Sequence, residues 1–319
     1  MNSIKGHILV NSFYKTEKFM EHYHCLQSSA EKQGVELDII ENSDILCSYG
    51  TCGVEKIYRA LDGDAFLLFW DKDIRLGRQV EKICQEKNIF MCNSVEAIAV
   101  CDDKSLTYQK LWEWNRDKPP DLQIPLIPSV TAPMAYANMG YTNTDFLGKV
   151  IEELSLPVVV KECYGSFGEQ VYLAENMEQL REITLRLGGT PHIYQKFIKE
   201  SSGRDVRIEV AGGEAAAAMY RYSVNGDFRA NITNGGCMKP YSPSARERQI
   251  ALDTADALGL CFGGIDLLFT ESGEAEVVCE VNSNAHFKNI YDCTGINVAD
   301  KIIAYIITSL NKPFKGLIQ

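Results

Sequence analysis

The stretch Gly264-Ile265-Asp266-Leu267-Leu268, followed after a short turn by Val277-Val278-Cys279-Glu280-Val281-Asn282, decides how this chain is read. Each half is an apolar β run carrying one acid where a buried strand ordinarily carries none. Between them, Glu271-Ser272-Gly273-Glu274 has the composition of a hairpin turn. Such a hairpin sets Asp266 and Glu280 on one face, and Asn282 joins them because strand side chains alternate. Two carboxylates and an amide oxygen converging on one point suit Mg2+, a hard cation that takes few protein ligands and completes its shell with phosphate oxygens. Either acid alone would also fit a turn or a wet strand face. The three together, set in apolar strands, point to metal.

The rest of the chain bounds the possibilities. Its 319 residues are too many for one ordinary core and suggest two or three domains. With 45% hydrophobic and 24% charged residues it has the composition of a soluble globular protein. A net charge of -11 argues against nonspecific partnership with nucleic acid or an anionic membrane. The opening Met1-Asn2-Ser3-Ile4-Lys5 lacks a signal pattern, and no apolar run approaches the roughly 20 residues of a membrane span. The eleven cysteines form no CxxC pair and read as reduced thiols of a cytoplasmic protein, with no zinc spacing.

In chain order, strand (8–10), helix (16–33, capped at Gly34) and strand (35–40) come first. Strand (65–70), helix (74–87) and strand (89–91) complete a small open parallel sheet, an α/β domain over residues 1–98. Asp71-Lys72-Asp73-Ile74-Arg75 lies beyond a strand's carboxyl end, where it serves either as a helix N-cap or as a substrate contact. His22 and His24 point apart on a helix, which argues against a metal pair. Asp102-Asp103-Lys104-Ser105 caps a helix reaching Trp114, prolines at 119, 120, 125 and 128 interrupt the chain, and a helix is expected over 143–154.

Leu156 to Lys161 is an apolar strand ending on a cation. It leads into Glu162-Cys163-Tyr164-Gly165-Ser166-Phe167-Gly168-Glu169-Gln170 and a second strand at 171–173. Glycines there let backbone N–H groups approach phosphate oxygens, and a strand lysine beside them needs an anion. The loop is neither a Walker loop nor a dinucleotide fingerprint, and an ordinary hairpin would look similar.

Taken with Gln195-Lys196-Phe197-Ile198-Lys199-Glu200, Gly203-Arg204-Asp205-Val206-Arg207 and Gly226-Asp227-Phe228-Arg229-Ala230-Asn231, these motifs occur in one order. The chain resembles ATP-grasp ligases, and within them RimK-type glutamate ligases, from about Cys101 to Tyr305. The resemblance implies an ATP-grasp fold, mixed α/β and α+β. An N-terminal Rossmann-like domain (1–98) precedes a central subdomain (99–194) with the lysines and lid, and a C-terminal subdomain (195–319) carries the metal site. It implies that Lys104 and Lys161 reach ATP phosphates under a Ser166-Phe167-Gly168 lid, and that Lys196, Phe197 and Ile198 border the adenine. Glu200 or Asp205 would take the ribose hydroxyls, and Arg221, Arg229 and Asn231 would lie near the γ-phosphate and acyl group. Asp266, Glu280 and Asn282 would ligate Mg2+, two ions bridged by Glu280, with Mn2+ as a substitute.

The implied chemistry is ATP-dependent carboxylate–amine ligation through an acyl phosphate, with ADP released. Its partners would be a small-molecule or peptide carboxylate and an amino acid or amine, with glutamate as the family default. A homo-oligomer is compatible with the apolar stripe of the last helix (298–310). The alternatives are a ligase that crosslinks a ribosomal peptide and a nucleotide-binding regulator without chemistry. Two departures stand out. Gln170 replaces a family glycine, and Asn284-Ala285-His286-Phe287-Lys288 replaces Ser-Pro-Gly-Leu in a region (284–297) that reads as loop. His286 is either a substrate contact or a solvated turn residue, and Lys288 is equally open.

Overall fold

The computed structural model describes residues 4–48, 53–165, 168, 170–230, 232 and 235–311. The chain begins with β1 (Ile4–Val10), α1 (Glu17–Lys32), β2 (Val35–Glu41), α2 (Gly53–Ala60), β3 (Phe66–Trp70), α3 (Ile74–Lys87) and β4 (Phe90–Cys92). The four strands form a parallel sheet in the order β2-β1-β3-β4. All five residues of β3 are buried, as an apolar strand covered on both faces must be. α1 ends where expected, at Gly34, whose φ of 74° suits glycine in the left-handed region.

The linking helices α4 (Val95–Asp102) and α5 (Lys104–Asn115) follow, the second capped by Asp103, which accepts from the amides of Ser105 and Leu106. Next come β5 (Ser129–Thr131), α6 (Leu147–Leu154), β6 (Val158–Glu162), β7 (Val171–Ala174), α7 (Met177–Leu187) and β8 (His192–Lys196). These strands make an antiparallel sheet, β5-β8-β6-β7, with its own core around Val158, Val160 and Tyr194. The expected helix over 143–154 is shorter, starting at Leu147.

The last part holds β9 (Arg204–Ala211), β10 (Glu214–Tyr222), β11 (Cys237–Pro240), α8 (Ala245–Ala257), β12 (Phe262–Phe269), β13 (Ala275–Asn282), α9 (Lys288–Thr294) and α10 (Val298–Leu310). Its antiparallel sheet runs β11-β10-β9-β12-β13. The stretch expected as loop over 284–297 contains α9. That helix has seven residues and no side-chain cap at Phe287, so the usual start signal is missing. The domain limits read from the sequence, 98/99 and 194/195, fall inside α4 and β8.

The first and last parts share one core. Ile8, Tyr23 and Trp70 pack with Phe262, Phe287 and Ile302, and the Trp70 and Phe262 rings stack at 4.9 Å. Asn93 joins them further. Its Nδ2 donates to the carbonyls of Phe262 and Ser283, both at 2.9 Å, and its Oδ1 accepts from the amides of Cys261 and Phe262. Among the described residues, no single helix is long and apolar enough to cross a membrane.

Candidate active site

Strand register assembles a row of charge across the last sheet. Asp205, Arg207 and Glu209 alternate along β9 and so share a face. Arg221 of β10 stands opposite Asp205, Asp266 of β12 opposite Arg207, and Glu280 of β13 opposite Asp266. Arg221 grips Asp205 with two bonds of 2.7 Å and reaches Asp266 Oδ2 at 2.9 Å. Arg207 grips both oxygens of Asp266 at 2.7 Å. Burial works against charge on Asp266, but Arg207 and Arg221 overcome it and hold the carboxyl below its usual range. Burial acts first on Arg221 too, yet Asp205 and Asp266 keep its guanidinium charged. Buried Glu209, with one oxygen unpartnered, is pushed up to about 7 by desolvation.

Both oxygens of Asp205 accept from Arg221, so it acts as a clamp for that arginine, and it is not among the residues lining the cavity. Among the described residues, the Nη1 groups of Arg207 and Arg221 have no protein acceptor, and both arginines line a cavity of about 470 Å³. Two guanidiniums held rigidly by carboxylates, each with N–H groups left over, are suited to an oxyanion.

Glu280 and Asn282 face that same cavity. Among the described residues the Glu280 carboxylate has no protein partner, and the buried Asn282 amide leaves Nδ2 unpartnered. Asp266 is nearly full: Oδ2 accepts twice, while Oδ1 accepts once and keeps one lone pair. No three His, Cys, Asp or Glu side chains cluster as a metal site among the described residues. The available donors are therefore two carboxylates and an amide. That fits Mg2+, which draws its remaining ligands from water or phosphate, and does not fit an all-protein cage. A bulge helps to shape the group. Asp266 pairs with Glu280 and Leu267 with Val278, leaving Cys279 extra. The Cys279 thiol accepts from Lys161 Nζ at 3.3 Å, and its burial raises its pKa.

Lys104 and Lys161 are both largely buried, and Lys104 Nζ donates to the Gly165 carbonyl at 3.1 Å. A cleft of about 30 Å³ beside Lys104 and Gly165 shares Lys72, Glu280, Asn282 and Asn284 with the larger cavity. Ser166, Phe167 and Asn231 lie outside the described residues. Gly168 is tied to Arg229, whose Nη1 donates to its carbonyl at 2.7 Å while the same guanidinium grips Asp227. Gln170 folds back on the loop, so that a Cβ on Gly165 would lie 2.6 Å from its Oε1. Lys196 is exposed at the end of β8, and Phe197, Ile198 and Glu200 follow half-buried. Glu200 pairs with Lys199 at 3.5 Å and stays open to a hydroxyl.

The larger cavity has two walls: the charged row, and the carboxyl end of the N-terminal sheet. The N-cap reading of the 71–75 stretch holds. Asp73 caps α3, while Asp71 and Lys72 line the cavity. His22 is buried and His24 exposed, confirming that they point apart. His286 lines the cavity, its ring 4.0 Å from Phe19, so it is no solvated turn residue. Lys288 sits on the α9 surface and pairs with Asp292. Sequence reasoning missed Lys18, Arg207 and Glu209. Arg207 stood in the Gly-Arg-Asp-Val-Arg motif, and strand alternation with Asp205 was the signal for it.

The description "RimK-like ATP-grasp domain" matches residues 127–306. The chain is 30% identical to a probable alpha-L-glutamate ligase of Mannheimia succiniciproducens, over 92% of this chain and 96% of that one. It is 32% identical to the beta-citrylglutamate synthase B of Homo sapiens over 75% of its own length, spanning 58% of that longer protein. Among solved structures, the ATP-grasp ligase PsnB, complexed with a phosphomimetic variant of minimal precursor, Mg and ADP, superposes with a TM-score of 0.69. That likeness, at 15% identity over 97% of this chain and 100% of the other, concerns the fold. The chain belongs to the RimK-like ATP-grasp family, ATP- and magnesium-using ligases that join a carboxylate to an amine and release ADP.

Proposed function

We propose that this ligase joins a carboxylic acid to the amino group of an amino acid or peptide through an acyl phosphate, with glutamate as the first amine to try. The observation that carries the reading is the pair Arg207 and Arg221. Each is locked by a carboxylate, each has an Nη1 without an acceptor among the described residues, and both line the cavity that Glu280 and Asn282 also line.

The chemistry sets what the residues must do. A carboxylate attacking the γ-phosphate of ATP brings anion to polyanion, so positive charge must already be in place. Lys104 and Lys161 supply it on the nucleotide side, and Arg221 faces the transferred group. Bound Mg2+ would neutralise phosphate charge, and Glu280, Asn282 and the remaining lone pair of Asp266 would hold it. A second ion on the free oxygen of Glu280, and Mn2+ in place of Mg2+, belong to the same proposal. When the amine attacks the acyl carbon, the oxyanion that develops can accept from the Nη1 groups of Arg207 and Arg221. Both guanidiniums are fixed beforehand, so little reorganisation is needed at that moment. Arg229 fixes Gly168 through its carbonyl, and in this reading that contact helps keep water from the acyl phosphate. In this reading Lys196 to Glu200 border the nucleotide base and ribose, and ATP lies between the second and third parts of the chain.

The test is ADP release with ATP and Mg2+ across amino acids, dipeptides and di- and tricarboxylic acids, with mass spectrometry of the products. Turnover that needs both a carboxylate and an amine, and yields their amide, supports the reading. ATP binding with no amide from any pair would overturn it.

A further inference from the structure

Lys18, Arg207 and His286 line the large cavity together. Lys18, in the first turn of α1, has neither an ion pair nor a hydrogen bond among the described residues. Burial and then Arg207 lower its pKa. Beside it His286 leaves Nδ1 buried and unpartnered, with the ring held against Phe19 at 4.0 Å and His22 at 5.0 Å. Burial, then Lys18, Arg207 and Lys72, bring the His286 imidazole down to about 3, so it is neutral near pH 7.

The carboxylates facing the cavity do not answer this charge. Asp71 already accepts from Asn11, Asn42 and the Lys72 amide. Glu280 lines the small cleft as well as the large cavity, which places it at their junction on the nucleotide side. Lys18, Phe19, Arg207 and His286 line the large cavity and not the small cleft beside Lys104. A half-buried cation beside an unpartnered ring nitrogen in a cavity of about 470 Å³ is a site built for an anion.

We propose that Lys18 Nζ and the His286 ring form a second carboxylate subsite, which holds a spectator carboxylate of a substrate while the reacting carboxylate lies at Arg221. This rests on the ligase reading and names its substrate class. At least one of the two joined molecules carries a carboxylate that is not consumed. That carboxylate is either the incoming amino acid's own or a further one on the acid partner. The residues responsible are on α1 and in the 284–288 turn.

The test needs no turnover, so it fails independently of the ligase reading. The chain has five histidines, few enough for nitrogen-15 imidazole NMR on the intact protein, with His286→Asn identifying the His286 signals. L-glutamate, glutarate and the neutral glutaramide are titrated in turn. The expected result is a saturable shift of the His286 signals with one or both carboxylates and none with glutaramide. A shift with L-glutamate alone assigns the subsite to the amino acid, and one with glutarate alone assigns it to the acid partner. Lys18→Gln should weaken that binding at least about tenfold, as loss of a charge-assisted hydrogen bond does, and Lys18→Arg should restore most of it. No shift with either carboxylate, an equal shift with glutaramide, or unchanged binding in Lys18→Gln would overturn the proposal.

Discussion

The two walls of the cavity differ in how their charges are answered. On the sheet wall, Arg221, Asp205, Asp266 and Arg207 form a continuous buried row in which every carboxylate oxygen accepts at least once. On the helix wall, Lys18 has no counter-ion among the described residues, and the His286 Nδ1 has no partner. That row is paired before anything binds, which suits groups that must meet a transition state without reorganising. Lys18 and His286 are not paired, and neither are Glu280 and the Asn282 Nδ2 on the sheet side, which suits groups that meet a ligand. Burial is common to all of them, so the row differs from the rest of the cavity lining in its pairing.

The strongest way to break this contrast is to open the paired row. Arg221→Met strands Asp205 without a partner and leaves Asp266 with Arg207 alone, and should cost about 3–5 kcal/mol, the usual penalty for half of a buried pair. Urea unfolding would show it, and an unchanged midpoint would mean the row contributes no stability.

Glu280→Gln separates stability from chemistry, because Glu280 has no protein partner to lose among the described residues. Its unfolding should stay within about 0.5 kcal/mol of wild type while ADP release falls roughly 10²–10³-fold. Normal turnover at low Mg2+ would remove Glu280 from the metal site.

Glu209 sharpens the contrast through pH. Its folded-state pKa, about 7, lies above the ordinary 4.5, so between those values the native protein holds a proton that the unfolded chain releases. Stability should therefore fall as pH rises through that window, by on the order of 3 kcal/mol in total. Glu209→Gln should remove that slope, read as melting temperatures at pH 5 and pH 8. A slope that survives the substitution assigns it to other groups.

The smallest effect concerns the loop. Arg229→Lys keeps the charge but cannot grip Asp227 with two bonds and reach the Gly168 carbonyl as well. Amide yield per ADP should drop severalfold, on the order of 1 kcal/mol. Equal coupling in the variant would show that the tie does not exclude water.

Much of the sheet wall was legible in the sequence, because strand alternation and one hairpin set Asp266 opposite Glu280 without knowledge of anything distant. The bulge at Cys279 was not, since nothing in Val277-Val278-Cys279-Glu280 marks an extra residue. Asp205 was named, with Glu200 as the alternative, as a ribose contact implied by the resemblance, and its pairing with Arg221 across a hairpin was not legible. The helix wall was nearly invisible. Lys18 looks like any solvated lysine on a helix until the last part of the chain folds over it, and His286 precedes a helix too short and uncapped to announce itself.

Asn93 has a mechanical consequence. Its side-chain amide imitates a peptide group, giving two hydrogen bonds and taking two between the first and last sheets. At about 1 kcal/mol each, and with Trp70 stacked on Phe262 beside them, they join those two sheets into one body. The remaining sheet, β5-β8-β6-β7, carries its own core and bears Lys161. Both walls of the large cavity belong to the joined pair, so their register is set without the third sheet.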